Sequence, residues 1–221
     1  ADTIVSSNCE IYNFKEIKKE LSNFSFKSNA DSEVIIHGYE KWSDNLFEKL
    51  KGMFSINIYE KSHKLTLARD RFGIKPIFYY HDEDKLIFSS EFFPLISALK
   101  DLSIRTTENF ESLENYFFGP YNFSSKTSIK NILKLEPGTF LKIDNNFNIK
   151  VKKYWNFKNY ESIQNISFSD SCEKFDYLIN QSVDRHMVSD VPMAVLYSGG
   201  IDSSLIAKLA QKRNNEIISI T

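Results

Sequence analysis

The stretch VLYSGGIDSSLIAKLAQ, residues 195–211, joins an apolar strand to a helix through two glycines. Such a turn aims several backbone N–H groups and the positive end of the helix at one spot, which suits an anionic oxygen group. Gly199 and Gly200 let the backbone approach a ligand closely, and the hydroxyls of Ser198 and Ser203 can donate to phosphate oxygens. Asp202 could hold Mg²⁺ or cap the helix. The loop is not a Walker A motif, which needs Lys directly after its second glycine; the first basic residue here is Lys208. It is not GxGxxG either. Two glycines by themselves are also compatible with a plain strand-to-helix connection capped by Ser198 or Asp202.

The elements that must hold this loop are legible around it. DSCEKFDYLINQSVDRHM sets Phe175, Leu178, Ile179 and Val183 at helical spacing, VPMAVLYS is an apolar strand, and EIISIT reads as a second strand, so the loop belongs to an α/β unit. Ahead of it, NFKNYESIQNISFSDS is polar and rich in Asn and Ser, which places a domain boundary near residues 157–168. The part before the boundary is α+β. Residues 3–7 read as strand, YNFKEIKKEL as a short helix with Phe14, Ile17 and Leu21 on one face, and DSEVIIHGYEKW as a second helix. From Met53 to Ser90 four alternating stretches, MFSINIYE, KLTLARD, PIFYYH and KLIFSSE, are expected as one antiparallel meander. FFPLISALK and ENFESLENYFFG read as helices, the second stopped by Gly119-Pro120, and LEPGTFLKID with NNFNIKVKKYW forms a hairpin.

Composition narrows the function classes. Of the 221 residues 42% are hydrophobic, enough for real cores in two domains. The net charge is -1 with basic and acidic residues interspersed, so neither a nucleic acid nor a membrane surface is the expected partner, and a small polar substrate is. No apolar run approaches the roughly 20 residues that span a bilayer, and ADTIVSSNCE lacks the features of a signal peptide, so a cytoplasmic location is expected. Cys9 and Cys172 lie far apart and outside any CxxC or Cys/His cluster, and read as two reduced thiols.

In full, SGGIDSS after an apolar strand resembles the pyrophosphate-binding loop of the ATP pyrophosphatases, ligases that break ATP between its α and β phosphates to adenylate a substrate. The resemblance implies that Ser198, Gly199, Gly200, Asp202 and Ser203 surround the pyrophosphate and its Mg²⁺, with Leu196 bordering the adenine. Upstream, NCEIYN, DSEVIIHGYEKW, LKGMFSINIYE, RDRFGIKPIFYY, FSSE and LEPGTFL occur in an order and spacing similar to those of the glutamine-hydrolysing asparagine synthetases. The likeness runs from about Val5 to Thr221.

That family implies an Ntn-type glutaminase domain, an αββα sandwich left incomplete, over residues 1–160. It implies the start of an α/β ATP pyrophosphatase domain, adenine nucleotide α-hydrolase-like, over residues 166–221. It also implies glutamine, aspartate and ATP with Mg²⁺ as substrates, and a homodimer in the full-length protein. By the same resemblance, the side-chain amide of Asn8 and the backbone N–H of Cys9 hold the oxyanion of the glutaminase reaction, and Glu10 and Asp31 bind the α-amino group of glutamine. Asn8 could instead satisfy a turn, and Asp31 could cap the second helix. RDRFGIKPIFYY reads as architecture, with Arg69, Asp70 and Arg71 able to pair at a strand end and Gly73 permitting the turn. Glu91 is read the same way, and His37 as a surface or satisfied histidine. His63, His81 and His186 form no ligand spacing.

Two departures matter. The family's nucleophile is an N-terminal cysteine whose own α-amine is the base, and that residue is absent here; NCEIYN also carries Cys9 where the family has Gly. A side chain there could crowd the oxyanion site or act as a substitute nucleophile, although no base is visible beside it. The chain therefore reads as an internal segment, cut at both ends, with neither glutaminase nor synthetase activity of its own. The alternatives are an amidotransferase of the same plan acting on a sugar, peptide or antibiotic-precursor carboxylate, or a non-catalytic binding remnant.

Overall fold

A computed structural model describes residues 3–62, 64–118, 125–157, 166–189 and 191–221. They divide into two compact units, Ala1–Asn159 and Tyr160–Thr221. The Gly119-Pro120 helix stop, His63 and most of the 157–168 boundary lie outside the described residues.

The first unit runs β1 (Thr3–Ile11), α1 (Phe14–Glu20), α2 (Glu33–Trp42), a 3-10 turn, α3 (Leu46–Lys49), β2 (Gly52–Glu60), β3 (Lys64–Arg69), β4 (Phe78–His81) and β5 (Leu86–Ser89). It continues with α4 (Phe92–Asp101), α5 (Phe110–Phe118), β6 (Ile132–Lys134), β7 (Thr139–Ile143) and β8 (Ile149–Lys153). The four central strands do not form one meander. β2 and β3 belong to a five-stranded sheet of order β1-β2-β3-β7-β8, whereas β4 and β5 belong to a three-stranded sheet of order β5-β4-β6. Alternation identifies a strand but not its neighbour. The edge of β3 that a meander would give to β4 is taken by β7, with Leu67 opposite Leu141 and Ala68 opposite Phe140.

Period-two patterning sorts the side chains into three cores. Phe54, Ile56 and Ile58 of β2, Ala68 of β3 and Phe140 of β7 face α1, α2 and α3, where they meet Ile17, Val34, Ile35, Leu46 and Phe47. The odd residues Leu67 and Leu141 point the other way, onto Ile77 just ahead of β4 and onto Tyr79 and Leu133 of the smaller sheet. That sheet's second face, through Tyr80 and Ile132, covers Leu95 and Leu99 of α4. The result is four layers, helix on sheet on sheet on helix, each interface filled by side chains whose burial contributes about 1.5–3 kcal/mol apiece.

The second unit is a short α/β unit: α6 (Phe168–His186), β9 (Ala194–Leu196), α7 (Ile201–Gln211) and β10 (Ile218–Ile220). β9 and β10 pair in parallel, Val195 opposite Ser219. Val183 of α6 packs on Leu209 and Ala210 of α7 with Val195 alongside. Ser167 caps α6 by accepting from the Asp170 N–H. Arg213 ties the end of α7 to α6, forming a close ion pair with Asp184 and donating to the carbonyl and side-chain oxygens of Asn180 at 3.1 and 2.9 Å.

Candidate functional site

β1 extends to Ile11, past the expected end at residue 7, and so Asn8, Cys9 and Glu10 lie within a strand. Asn8 pairs with Ser55 and Glu10 with Met53 of β2. The alternative that Asn8 satisfies a turn is therefore set aside. Asn13 of the same NCEIYN motif fills that role, donating to the Lys49 carbonyl at 3.0 Å and accepting from the Lys51 N–H at 2.8 Å. Asn8 and Glu10 sit on the exposed face of β1, while Val5, Cys9 and Ile11 face the helices.

Asp31 closes the end of this strand. Its Oδ2 accepts from the Ile11 N–H at 2.6 Å. The helix cap is Ser32, with no side-chain cap bond, so Asp31 does not cap α2. The Tyr12 N–H, by contrast, turns inward to the Lys51 carbonyl at 2.8 Å. Backbone groups alternate sides along an antiparallel strand, and β1 is the edge of its sheet, so the N–H of Cys9 points to the same outer edge as that of Ile11. Asp31, the Cys9 N–H and the Asn8–Glu10 face thus share one border of the sheet.

Cys9 does not crowd this border. The Cys9 side chain packs against the helix-side core, and its thiol donates to Ser7 Oγ at 3.5 Å. Burial pushes the thiol up to about 11, with the nearby carboxylates of Asp31 and Glu10 adding to the effect, so it stays protonated at neutral pH. A half-buried, protonated thiol on the helix-side face is poorly disposed to act as a substitute nucleophile.

The RDRFG segment supports the same region, by other means than pairing. Asp70 is fully buried, and its carboxylate accepts from the N–H groups of Phe54, Phe72, Ile74 and Lys75 at 3.2, 3.0, 3.0 and 2.9 Å. Arg69 donates to the carbonyls of Lys75, Leu135 and Gly73 at 2.9, 2.6 and 2.5 Å. Arg71 reaches the Glu48 carbonyl at 2.8 Å. The expected ion pairs among these three residues give way to bonds with buried backbone groups, which would be costly to leave unpaired. Gly73 has φ +66°, and a Cβ there would lie 2.8 Å from the Arg69 guanidinium. Glu91 is exposed after β5. His37 is half-buried between the rings of Phe24 and Phe26, and its Nδ1 is buried without a partner.

In the second unit, Leu196 ends β9 and Ser198, Gly199 and Gly200 lead into α7. Gly200 is the N-cap, with no side-chain cap bond, so neither Ser198 nor Asp202 caps the helix. The first-turn N–H groups have no intrahelical acceptors. Ser198 Oγ and Ser203 Oγ lie 3.0 Å apart beside them. Gly199 has φ +77°, and a Cβ there would meet nothing within 4 Å, so the hollow above the loop is open. The exposed Asp202 stands in the first turn of α7, and Leu196 is 79% exposed. These features fit a pyrophosphate. Among the described residues no three His, Cys, Asp or Glu side chains cluster to hold a metal ion. No helix there is long and apolar enough to cross a membrane.

Asn13 and Glu33 are the structurally informative residues that the sequence does not single out. Asn13 is signalled only by closing the NCEIYN motif, and Glu33 only by opening a helix.

Comparison with known proteins finds relatives for both units. Residues 1–155 match the family model of the glutamine amidotransferase domain, and residues 174–221 that of asparagine synthase. The chain is 35% identical to glutamine-hydrolyzing asparagine synthetase 2 of Bacillus subtilis, over 96% of this chain and 30% of that protein. It is also 35% identical to asparagine synthetase 1 of the same organism, over 93% of this chain and 32% of that protein. The chain thus spans about a third of the length of these relatives. Among solved structures, glutamine phosphoribosylpyrophosphate amidotransferase from B. subtilis matches with a TM-score of 0.51 at 15% identity, covering 99% of this chain and 45% of that one; the fold is shared.

Proposed function

The chain belongs to the glutamine amidotransferase family, and we propose that it holds glutamine along the outer edge of β1 and the pyrophosphate of ATP in the SGGIDSS loop, as parts of a glutamine-dependent asparagine synthetase. The observation that carries the first half is the Asp31 carboxylate seated on the Ile11 N–H at 2.6 Å. With Glu10 beside it, this carboxylate suits the α-ammonium of an amino acid. Two residues of strand rise about 6.7 Å, and the path from the α-nitrogen of glutamine to its amide carbon spans roughly 5 Å. An ammonium at Asp31 therefore brings the amide oxygen to the Cys9 N–H, with the Asn8 side-chain amide as second donor. Two donors aimed at that oxygen stabilise the charge that develops on it when the amide is attacked.

The loop of the second unit serves the other substrate pair. A carboxylate is a poor electrophile at neutral pH, because its leaving group is an oxide; adenylation of aspartate replaces that group with AMP, which ammonia displaces. The α7 N-terminus with Ser198, Gly199, Gly200 and Ser203 receives the departing pyrophosphate, and Leu196 borders the adenine. Mg²⁺ arrives with the nucleotide, and Asp202 is the carboxylate nearest at hand for it.

Calorimetric titration of the chain tests both halves. Glutamine is expected to bind, and Asp31→Ala to weaken it at least tenfold; MgATP is expected to bind and to be weakened about tenfold by Ser203→Ala, the loss of one charge-assisted hydrogen bond. Glutamine binding that ignores Asp31→Ala sinks the first assignment, and MgATP binding that ignores Ser203→Ala sinks the second.

A further inference from the structure

We propose that Glu33 is a positioning residue for the glutamine site: its carboxylate fastens the Lys27–Ser28 segment to the start of α2 and thereby sets the Asp31 carboxylate on the edge of β1. The proposal rests on the reading of that edge as the glutamine site. Residues 25–30, between the end of α1 and α2, have no regular structure of their own. One side chain of α2 makes three short hydrogen bonds to them. Glu33 accepts from the Lys27 N–H at 2.6 Å, from the Ser28 N–H at 2.7 Å and from the Ser28 hydroxyl at 2.6 Å. These donors, the Lys27 N–H foremost, lower its carboxyl to about 2, so the clasp is ionised across the neutral range.

The clasp closes a small ring of backbone from Ser28 to Glu33, and Asp31 lies inside that ring. The Ser28 hydroxyl also accepts from the Ala30 N–H at 3.2 Å, and Lys18 Nζ donates to the Ser28 carbonyl at 3.2 Å. Phe24 and Phe26 pack around His37 one turn further along α2, with His37 Nε2 3.7 Å from Glu33 Oε1. The other ties within the ring are long, Glu33 N–H to the Ala30 carbonyl and Val34 N–H to the Asp31 carbonyl, both 3.4 Å. Asp31 makes its bond to Ile11 from a segment whose other ties, through Lys18, Phe26 and these backbone bonds, are longer than those to Glu33. Removing the Glu33 charge leaves Asp31 chemically intact but no longer aimed.

Amide exchange reads this aim directly. In Glu33→Gln the Ile11 N–H is expected to exchange at least tenfold faster, while Tyr12, whose N–H bonds to Lys51, is unchanged. Ser28→Ala, which deletes the hydroxyl donor to Glu33 and the acceptor for the Ala30 N–H but keeps the Lys27 and Ser28 N–H bonds to Glu33, is expected to give a smaller shift of the same pattern. Unchanged exchange at Ile11 in both variants overturns the proposal, and so does equal acceleration at Ile11 and Tyr12, which marks general loosening. In titrations, Glu33→Gln is expected to weaken glutamine at least fivefold and to leave its deamino analogue, 4-carbamoylbutanoate, unaffected. In an Asp31→Ala background it is expected to add nothing. Absence of glutamine binding by the unaltered chain overturns the glutamine part by itself, and the Ile11 exchange then still decides whether Glu33 sets Asp31.

Discussion

Arg69 and Asp70 are adjacent in sequence and opposite in charge, yet each directs its hydrogen bonds to backbone and neither pairs with the other. The carboxylate gathers four N–H groups and the guanidinium three carbonyls, all from one turn and the strands beside it. Two charges organise a loop by completing its backbone bonding, which ties the start of β2 to the segment entering β4.

Asp70→Ala is accordingly expected to destabilise the first unit by about 3 kcal/mol or more, since it strands buried N–H groups without an acceptor. Asp70→Asn should recover part of the loss, because one oxygen remains while the amide nitrogen faces donors. Denaturant unfolding followed by the fluorescence of Trp42 and Trp155 would show it, and a loss below about 1 kcal/mol would contradict the burial of this carboxylate.

Gly73→Ala and Gly199→Ala put the same methyl on the same kind of backbone in opposite surroundings. Both have positive φ, but the new Cβ meets the Arg69 guanidinium and Pro137 at 2.8 and 2.9 Å in the first case and open space in the second. Gly73→Ala is expected to cost about 1–3 kcal/mol beyond the backbone strain that the two share. Parallel thermal melts of the two variants check the difference.

Alkylation separates the two thiols. Cys172 is exposed, and Cys9 is half-buried with its thiol pushed up to about 11, so about one part in a thousand is thiolate at pH 8. Iodoacetamide is expected to label Cys172 first, with Cys9 lagging by at least tenfold in a peptide-resolved time course. Equal rates would mean that the Cys9 side chain reaches solvent and returns it to consideration as a nucleophile.

Acid should loosen the first unit in a definite window. The Lys27 and Ser28 donors hold Glu33 at about 2, and the Tyr80 hydroxyl holds Asp82 at about 2. Groups lowered in the folded state contribute stability that is complete above their unfolded values, near 4, and is lost as pH falls toward 2. Melting temperature is expected to be level from pH 7 to 5 and to fall below pH 4, less steeply in Glu33→Gln. A slope that the substitution leaves unchanged would assign the acid sensitivity elsewhere.

Element types were legible because periodicity records burial: Ile17 and Leu21, or Leu65 and Leu67, announce a helix and a strand without reference to their partners. Partnership was not legible. Nothing in KLTLARD says that β7 lies beside it, and the expected meander failed at that point. The pyrophosphate loop is nearly self-contained in sequence, since its strand, glycines and helix are contiguous. The β1 edge is not, because Asp31 reaches Ile11 from another segment, and Glu33 shows no more in sequence than a good first helical residue. The alternative that Asn8 satisfies a turn fell because the strand runs four residues beyond its expected end at residue 7, to Ile11, leaving Asn13 at the actual corner.

The pairing of β3 with β7 also sets a schedule. On the ribosome, Leu65 and Leu67 emerge long before Leu141 and Ile143, and the whole of the smaller sheet and α4 is made in between. Until β7 arrives, a hydrophobic strand waits with one edge unpaired, which is the condition under which nascent chains stick to one another. That interval is therefore the one in which growing copies of this chain are most open to edge-to-edge association.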